Sequence, residues 1–460
     1  MSNLLSQYYR CCDEDIPLFL PEPLSGDSGY FKFQENILYG RLSDGETSTS
    51  PTLHSTKDAL AGVAVRDGAI VLPFDPAEVA SCLRSEAYTH PTGEAHPASS
   101  LLGRSYYFLR PALPIAVRRH LQKFRLNGWR QLRFPNWPVD RTVDALHEQL
   151  LLLSLRAANR QEIPFIWFWP NGASSCAILT HDVETVAGRD FCSSLMDVDD
   201  EFGVKASFQV VPESRYEVPE SYLGCIRNRG FEIDVQDLNH DGRLFRERDE
   251  FLARVRKINE YGRKYRAEGF RAAVLYRRQE WYESFEFSYD MSVPNVAHLD
   301  PQRGGCCTVM PYFVGKLVEL PVTATQDYSL FHILRDHSIE LWKQQIDLIM
   351  EKHGLMNFII HPDYVIGQKE METYKALLTY LAQLAADKNV WMPLPKEVAS
   401  WWRDRANMRL VGANGRWRVE GKGSERARIA YASEKDGKLS YSFQSLSEST
   451  QTGLLTSRPN

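Results

Sequence analysis

Between about residues 163 and 403, short apolar runs of strand length alternate with longer amphipathic segments. The apolar runs lie at 175–181, 205–211, 231–236, 270–275, 285–291, 316–322, 357–361 and 389–393. Two longer segments, 250–268 and 338–354, repeat apolar residues every three or four positions, as amphipathic helices do. Strands that alternate with helices are typical of a parallel sheet or (β/α) barrel, so we expect an α/β domain here.

The flanking segments have a different pattern. Residues 40–100 are rich in Ser, Thr, Gly, Asp and His around one strand-like run at 69–74, and helical periodicity follows at 114–126 and 143–159. We interpret 1–162 as an accessory region that is first irregular and then helical. The apolar stretch 163–170 is expected to be a buried strand that leads into the barrel of residues 163–403. Short alternating runs with glycine turns predict a small β appendage and polar tail at 404–460.

Composition excludes some classes of function. The 54 basic and 59 acidic residues give a net charge of -5, which is not the basic surface that binding to nucleic acid requires. The chain has no 18-residue apolar run and does not open with a basic and then apolar leader, so we expect a cytoplasmic protein without a transmembrane segment. The eight cysteines show no CxxC spacing, which favours buried reduced thiols over a thiolate zinc site. The pattern does not predict an oligomeric state.

Polar residues suited to hydrolytic chemistry lie at or after the ends of several of the predicted strands, and one of them, Arg271, lies within its strand. In chain order they are Asp182 and Glu184, Gln236 and His240, Arg271, Asp290, and His361. In a (β/α) barrel the functional residues gather where the strands end, so we expect these side chains at one rim. Amide hydrolysis at neutral pH needs an activated water, a base, stabilisation of the oxyanion and an acid for the leaving amine. This set of residues can supply all four.

The order and spacing of these residues resemble the NodB-homology polysaccharide deacetylases of carbohydrate esterase family 4, over about residues 165–400. The resemblance implies a distorted (β/α) barrel that removes acetyl groups. The first motif of that family is similar to T-F-D-D, and the chain has T-H-D-V-E at 180–184. This match places Asp182 at the position of the catalytic base. The carboxylate that binds the metal is then Glu184, one residue later than usual.

The second motif of the family, His-x-x-x-His, is matched by Gln236 to His240, with glutamine in place of the first histidine. The resemblance therefore implies a divalent metal ion, zinc being the first expectation, held by Glu184, His240 and Gln236. A glutamine oxygen is a weaker ligand than imidazole for softer metals, so Gln236 should lower the affinity or favour a harder ion. Spare candidate ligands lie nearby in the sequence, and these are His181, Asp237 and Asp241.

The remaining motifs concern the groups that orient the base and supply the acid. Arg271 matches the arginine that tethers the base, although the proline that usually follows in R-x-P-Y is absent from F-R-A-A-V-L-Y. Asp290 in S-Y-D-M resembles the aspartate that tunes the acid histidine. His361 in F-I-I-H-P resembles that histidine, which protonates the leaving amine.

Together these features predict a metal-dependent hydrolase that removes N-acetyl groups from an amino-sugar polysaccharide or glycan precursor, in cell-surface or exopolysaccharide metabolism. Its partner would be the acetylated glycan. Two alternatives stay open. One is a catalytically silent carbohydrate-binding or assembly protein on the same barrel. The changes at Glu184 and Gln236 favour it, and the retention of Asp182, Arg271, Asp290 and His361 opposes it. The other is a hydrolase of a small non-peptide amide.

Overall fold

The computed structural model describes residues 4–17, 19–52, 56–89, 128–413 and 416–443. The helices are α1 (Leu4–Tyr9), α2 (Pro76–Arg84), α3 (Thr142–Ala157), α4 (Val186–Glu201), α5 (Glu220–Asn228), α6 (Arg248–Tyr265), α7 (Glu340–Met350), α8 (Gln368–Lys388) and α9 (Pro395–Asn407). The helix predicted at 114–126 and the polar tail after residue 443 lie outside the described residues. In the part of the chain that is described, no helix combines the length and apolar character needed to cross a membrane.

The strands lie in five sheets of the described chain. They are β1 (Phe19–Pro21), β2 (Ser28–Phe33), β3 (Asn36–Arg41), β4 (Ala64–Arg66), β5 (Ala69–Leu72), β6 (Glu162–Ile166), β7 (Ser175–Val183), β8 (Ser207–Val210), β9 (Glu232–Gln236), β10 (Gly269–Arg271), β11 (Tyr289–Asp290), β12 (Tyr312–Val314), β13 (Leu317–Glu319), β14 (Leu355–Ile360), β15 (Val390–Trp391), β16 (Arg409–Ala413), β17 (Arg416–Glu420), β18 (Ile429–Lys435) and β19 (Lys438–Phe443).

The largest sheet has the order β12-β13-β11-β10-β9-β8-β7-β14, with β15 also beside β7. Only β12 runs antiparallel to its neighbour among these described strands. The two ends of the sheet approach each other, since the Ala324 amide donates to the Asn357 carbonyl at 3.2 Å and the Asn357 side chain donates to the Leu320 carbonyl at 3.0 Å. The sheet therefore curls into a distorted barrel, and the carboxyl ends of its parallel strands meet at one rim.

Each of the eight predicted apolar runs overlaps a strand of this sheet, but several strands are shorter than the run. The run at 270–275 was expected to be one strand, whereas β10 ends at Arg271 and residues 273–275 form a turn. The Ala272 amide donates to Ser292 Oγ instead of to a neighbouring strand, and Val274 and Leu275 have positive φ values of 59° and 53°. A β-branched residue such as Val274 rarely adopts this conformation, so the apolar sequence of the run did not predict the turn.

The apolar stretch 163–170 contains most of a buried strand, β6, as expected, but β6 does not pair with a strand of the barrel. β6 pairs antiparallel with β18, with Ile163 opposite Ala432. Its Phe165 ring lies 5.3 Å from the rings of both Tyr9 and Tyr441. The strand is buried because α1 and the β18–β19 hairpin cover it. The first helix, β6 and the last hairpin thus share one hydrophobic core beside the barrel.

A buried ion pair joins the N-terminal region to the barrel. Arg277 Nε donates to Glu86 Oε2 at 2.7 Å, and the Gly305 amide donates to Glu86 Oε1 at 2.6 Å. Glu86 is 6% exposed and Arg277 is 2% exposed. Burial lowers the pKa of Arg277, but the adjacent Glu86 carboxylate raises that pKa above its ordinary value. Each charge therefore depends on the other for its stability in the interior.

Asp300, close to this ion pair, predicts a pH-dependent contribution to stability. Burial raises its pKa to about 6, although Arg277 and a hydrogen bond from Gln326 oppose the shift. Because the folded pKa is above the unfolded value, the stabilising contribution is complete near pH 4 and is lost as the pH rises through about 6. We compare the unfolding free energies of Asp300→Asn and the wild type at about pH 4.5 and about pH 7.5. Raising the pH between these values should shift the difference by about 2 kcal/mol in favour of the variant.

Urea unfolding of the wild type and of Asp300→Asn at the two pH values checks this expectation. Asp387→Asn is the control, because Asp387 is exposed on α8. Its difference from the wild type should stay within about 0.5 kcal/mol at both pH values. A stability difference for Asp300→Asn that does not change with pH would contradict the expected titration.

Candidate active site

Asp182 and Arg271 form a buried ion pair at the rim of the barrel. Asp182 lies near the end of β7 and Arg271 ends β10, so the guanidinium reaches across the barrel. Arg271 Nη1 donates to Asp182 Oδ1 at 2.6 Å and to Thr180 Oγ1 at 2.7 Å, while its Nε donates to the Met291 carbonyl at 3.0 Å. The arginine thus fixes the orientation of the Asp182 carboxylate and leaves Oδ2 for other partners.

Glu184 lies at the centre of the site, directly after β7. Its Oε1 is 2.7 Å from His240 Nε2 and 3.5 Å from His361 Nε2, and it accepts a hydrogen bond from Gln236 Nε2 at 3.0 Å. Burial opposes ionisation of Glu184, but the two imidazoles hold its pKa well below the ordinary value. The centre of the site therefore carries a negative charge close to two nitrogen donors.

Gln236 and His240 occupy the positions predicted from the second motif. Gln236 ends β9 and donates through Nε2 to Asp182 Oδ2 at 3.1 Å as well as to Glu184. His240 lies in the following loop with a φ of 57°, and Arg215 Nη2 donates to its carbonyl at 2.5 Å. The structure thus brings Gln236, His240 and Glu184 together, as the spacing of the motif predicted.

His361 directly follows β14, and Asp327 holds it. The Asp327 carboxylate accepts from His361 Nδ1 at 2.7 Å and from the His361 amide at 2.7 Å. Both residues are buried. Burial disfavours the imidazolium, but Asp327 and Glu184 raise the pKa of His361 well above its ordinary value. His361 is therefore held in the protonated form, as a general acid requires.

Asp290 does not contact His361, which corrects the pairing expected from the sequence. It lies at the end of β11, where Ser292 donates to it from its amide at 3.0 Å and from its Oγ at 2.8 Å. In the curled sheet β13 lies between β11 and the residues that pack against β14, so Asp290 is not adjacent to His361. Asp327 instead follows the segment that packs against β14, and it takes the position that the sequence assigned to Asp290.

Asp290 faces a second buried carboxyl group, Glu319, at the end of β13. Burial raises the pKa of both groups, and the proximity of Asp290 raises that of Glu319 further. The Val293 amide donates to Glu319 Oε1 at 3.0 Å. The neutral form of Glu319 is therefore favoured in the interior.

The three spare candidate ligands have other partners. His181 Nε2 lies 3.0 Å from Asp199 Oδ2 on the helical side of β7. Asp241 is paired with Arg254 at 2.8 Å, and Asp237 Oδ1 accepts from the Leu238 amide at 2.7 Å. None of these contacts brings the three residues to Glu184.

The donor set at Glu184 fits a divalent cation. Within the described residues, ligand atoms of Asp182, Glu184 and His361 lie within 4.8 Å of one another. Two buried polar atoms beside them, His240 Nε2 and Gln236 Oε1, have no hydrogen bond of acceptable geometry in the described structure. Rotation of the Gln236 amide would exchange Nε2 with Oε1 and turn an oxygen toward the site. Carboxylate oxygens and imidazole nitrogens are ligands that zinc accepts.

No family model and no curated protein matches the chain, whereas several solved structures are similar to it. A protein assigned as a polysaccharide deacetylase from Mycobacterium smegmatis is 19% identical, over 54% of this chain and 97% of the other, with a TM-score of 0.42. Puue allantoinase is 10% identical over 51% and 92%, with a TM-score of 0.41. A family 4 acetyl xylan esterase from Clostridium thermocellum, in complex with a cobalt ion, is 14% identical over 49% and 91%, with a TM-score of 0.32. The chain therefore resembles deacetylase-type structures.

Proposed function

We propose that the protein is a metal-dependent N-deacetylase of an amino-sugar polysaccharide or glycan precursor. The observation that supports this proposal is the arrangement of a base and an acid on either side of Glu184. Asp182 is paired with the cationic Arg271, and His361 is paired with the anionic Asp327. A carboxylate beside a cation is suited to act as a general base, and an imidazole beside an anion is suited to act as a general acid.

In the proposed reaction Asp182 is the general base. It accepts a proton from the water that attacks the acetyl carbonyl, and Arg271 holds the carboxylate in a fixed orientation. Glu184, His240 and the Gln236 oxygen would hold the metal. When bound, that ion would supply Lewis-acid activation of the water and the carbonyl.

His361 is the general acid. Asp327 accepts from Nδ1, which leaves the Nε2 proton facing Glu184 and the substrate position. As the C–N bond breaks, His361 Nε2 gives its proton to the departing amine. At this point Asp182 carries the proton of the attacking water, and His361 has lost its proton to the amine. Acetate and the free amine leave, and proton exchange with solvent returns both side chains to their starting states.

The experiment that tests the proposal measures metal content and acetate release together. We expect about one divalent ion per chain after loading, and acetate release from the tetramer of N-acetylglucosamine that stops on chelation. Elemental analysis and an acetate assay give the two readings. A loaded protein that binds no ion and releases no acetate would contradict the proposed reaction.

Gln236→His isolates the contribution of the unusual ligand. Imidazole is a better ligand than an amide oxygen for zinc, so we expect zinc to bind at least about tenfold more tightly to this variant. Competition with a chelator of known affinity measures the difference. His337→Gln is the control, because His337 is a half-buried histidine paired with Glu370 and not with Glu184. Unchanged zinc affinity in Gln236→His would exclude residue 236 from the metal site.

One observation favours the silent carbohydrate-binding alternative. Gln236 Nε2 donates hydrogen bonds to both Asp182 and Glu184. The amide therefore stabilises the two carboxylates in the place of a cation. A binding protein of this kind would hold the tetramer and release no acetate, with or without added metal. The same experiment therefore separates the two functions.

A further inference from the structure

Three aromatic side chains form a cluster that reaches His361 through Tyr364. The Tyr364 ring is 4.6 Å from the imidazole of His361 and 5.7 Å from the ring of Tyr328. The His332 ring is 5.0 Å from Tyr364 and 5.3 Å from Tyr328. We call Tyr328, His332 and Tyr364 the aromatic platform.

The segments that fix the acid also fix the platform. Tyr328 follows Asp327, the partner of His361, and Tyr364 ends the turn Pro362–Tyr364 that begins directly after His361. His332 lies in the π-helical turn Ser329–Leu334, a type of turn that often occurs at functional sites. The distance between the platform and the acid is therefore set by two short connections.

The aromatic platform keeps part of its surface accessible although its neighbours in the barrel are buried. All three side chains are half-buried. Two of the exposed large apolar side chains follow the site residues closely in sequence, and these are Val186 at 50% and Ile366 at 49%. Exposed aromatic and apolar side chains next to a polar cluster are typical of a ligand site.

The role of His361 determines which part of the substrate meets these rings. The acid must reach the nitrogen that departs, so the group that carries this nitrogen lies against His361 and hence against Tyr364. The acetyl group lies on the side of Asp182 and Glu184. A pyranose ring has an apolar face that packs on an aromatic ring and hydroxyls that a tyrosine hydroxyl can bind.

We propose that Tyr364, supported by Tyr328 and His332, binds the face of the hexosamine ring that carries the departing amine. This proposal rests on the function proposed above and narrows its substrate to amides of ring sugars. An acyclic amide has no such face, so it gains nothing from the platform.

Kinetics of Tyr364→Ala on two substrates test the proposal. For the N-acetylglucosamine tetramer we expect KM to rise about tenfold while kcat stays within about threefold. For acyclic N-acetylethanolamine, kcat/KM should stay within about twofold. Tyr364→Phe keeps the ring and should retain a KM within about threefold of the wild type. Tyr380→Ala, a half-buried tyrosine on α8, is the control and should leave both substrates unchanged.

Two outcomes would overturn the proposal. An unchanged KM for the tetramer would show that Tyr364 does not contact the sugar. An equal loss on both substrates, or a shift in the pH profile of kcat for the tetramer, would show instead that Tyr364 only orients His361.

Binding of the tetramer tests the platform separately from hydrolysis. Calorimetry compares Asp182→Asn with Asp182→Asn/Tyr364→Ala, in neither of which turnover interferes. About tenfold weaker binding by the double variant supports the platform even when the wild type releases no acetate, in which case only the proposed hydrolysis fails. Equal binding, or no binding by either protein, overturns the platform.

Discussion

Asp182→Asn is expected to lower kcat for acetate release by about a thousandfold, because an amide cannot accept the proton of the attacking water. The acetate assay described above measures this loss on the N-acetylglucosamine tetramer. The variant also removes the anionic partner of the buried Arg271, although the bonds of that arginine to Thr180 and Met291 remain. Circular dichroism should therefore show a folded protein with reduced stability.

Asp290→Asn is the matched control for this prediction. Asp290 is also a buried aspartate at the end of a barrel strand, but its partners are Ser292 and Glu319 rather than the groups at Glu184. We expect its kcat to stay within about fivefold of the wild type. If Asp290→Asn lost as much activity as Asp182→Asn, the result would support the role that the sequence motif assigns to Asp290, which is to tune the acid histidine. If neither variant lost activity, Asp182 would not be the base.

Glu86→Ala is expected to lower the free energy of unfolding by about 3–5 kcal/mol, the largest effect on stability that we anticipate. The change leaves the Arg277 charge buried without its partner and removes the acceptor of the Gly305 amide. Denaturant unfolding measures the loss. The control is Glu78→Ala, since Glu78 pairs with Arg41 at the surface and such pairs contribute about 1 kcal/mol or less.

A double variant separates the charge effect from a general loss of packing. Replacing both Glu86 and Arg277 with methionine removes the two charges together, so we expect it to recover most of the stability lost in Glu86→Ala. If the double variant were as unstable as the single one, hydrogen bonds and packing at this junction would account for the loss. A single variant within about 1 kcal/mol of the wild type would contradict the importance of the pair.

Local sequence patterns predicted the parts of the site that depend on strand ends. Asp182, Gln236 and His361 each end or follow an apolar run, and parallel strands bring such positions to one rim. Arg271 lies within the run at 270–275 but ends the shorter strand that forms there. The motif spacing also placed Glu184 beside His240, because the two lie on the same rim after β7 and β9.

Partners that depend on how the sheet curls were not predictable in this way. Asp327 holds His361 because residues 320–325 pack against β14, which no local period encodes. Its signal was nevertheless present, since Asp327 is an acidic residue that follows the run at 316–322 as other site residues follow theirs. The pairing of β6 with β18 is likewise long-range, and the apolar run at 163–170 is equally suited to a barrel strand or to the strand that it forms.

The partnership of β6 with β18 also determines when the molecule can finish folding during its synthesis. β6 precedes every strand of the barrel in the chain, yet residues 429–433 must leave the ribosome before its edge is paired. Until then an apolar strand edge is open to pairing with other nascent chains. The β18–β19 hairpin therefore pairs with β6 late and covers its exposed edge. Removal of this hairpin should favour aggregation even while the residues around Glu184 keep their positions.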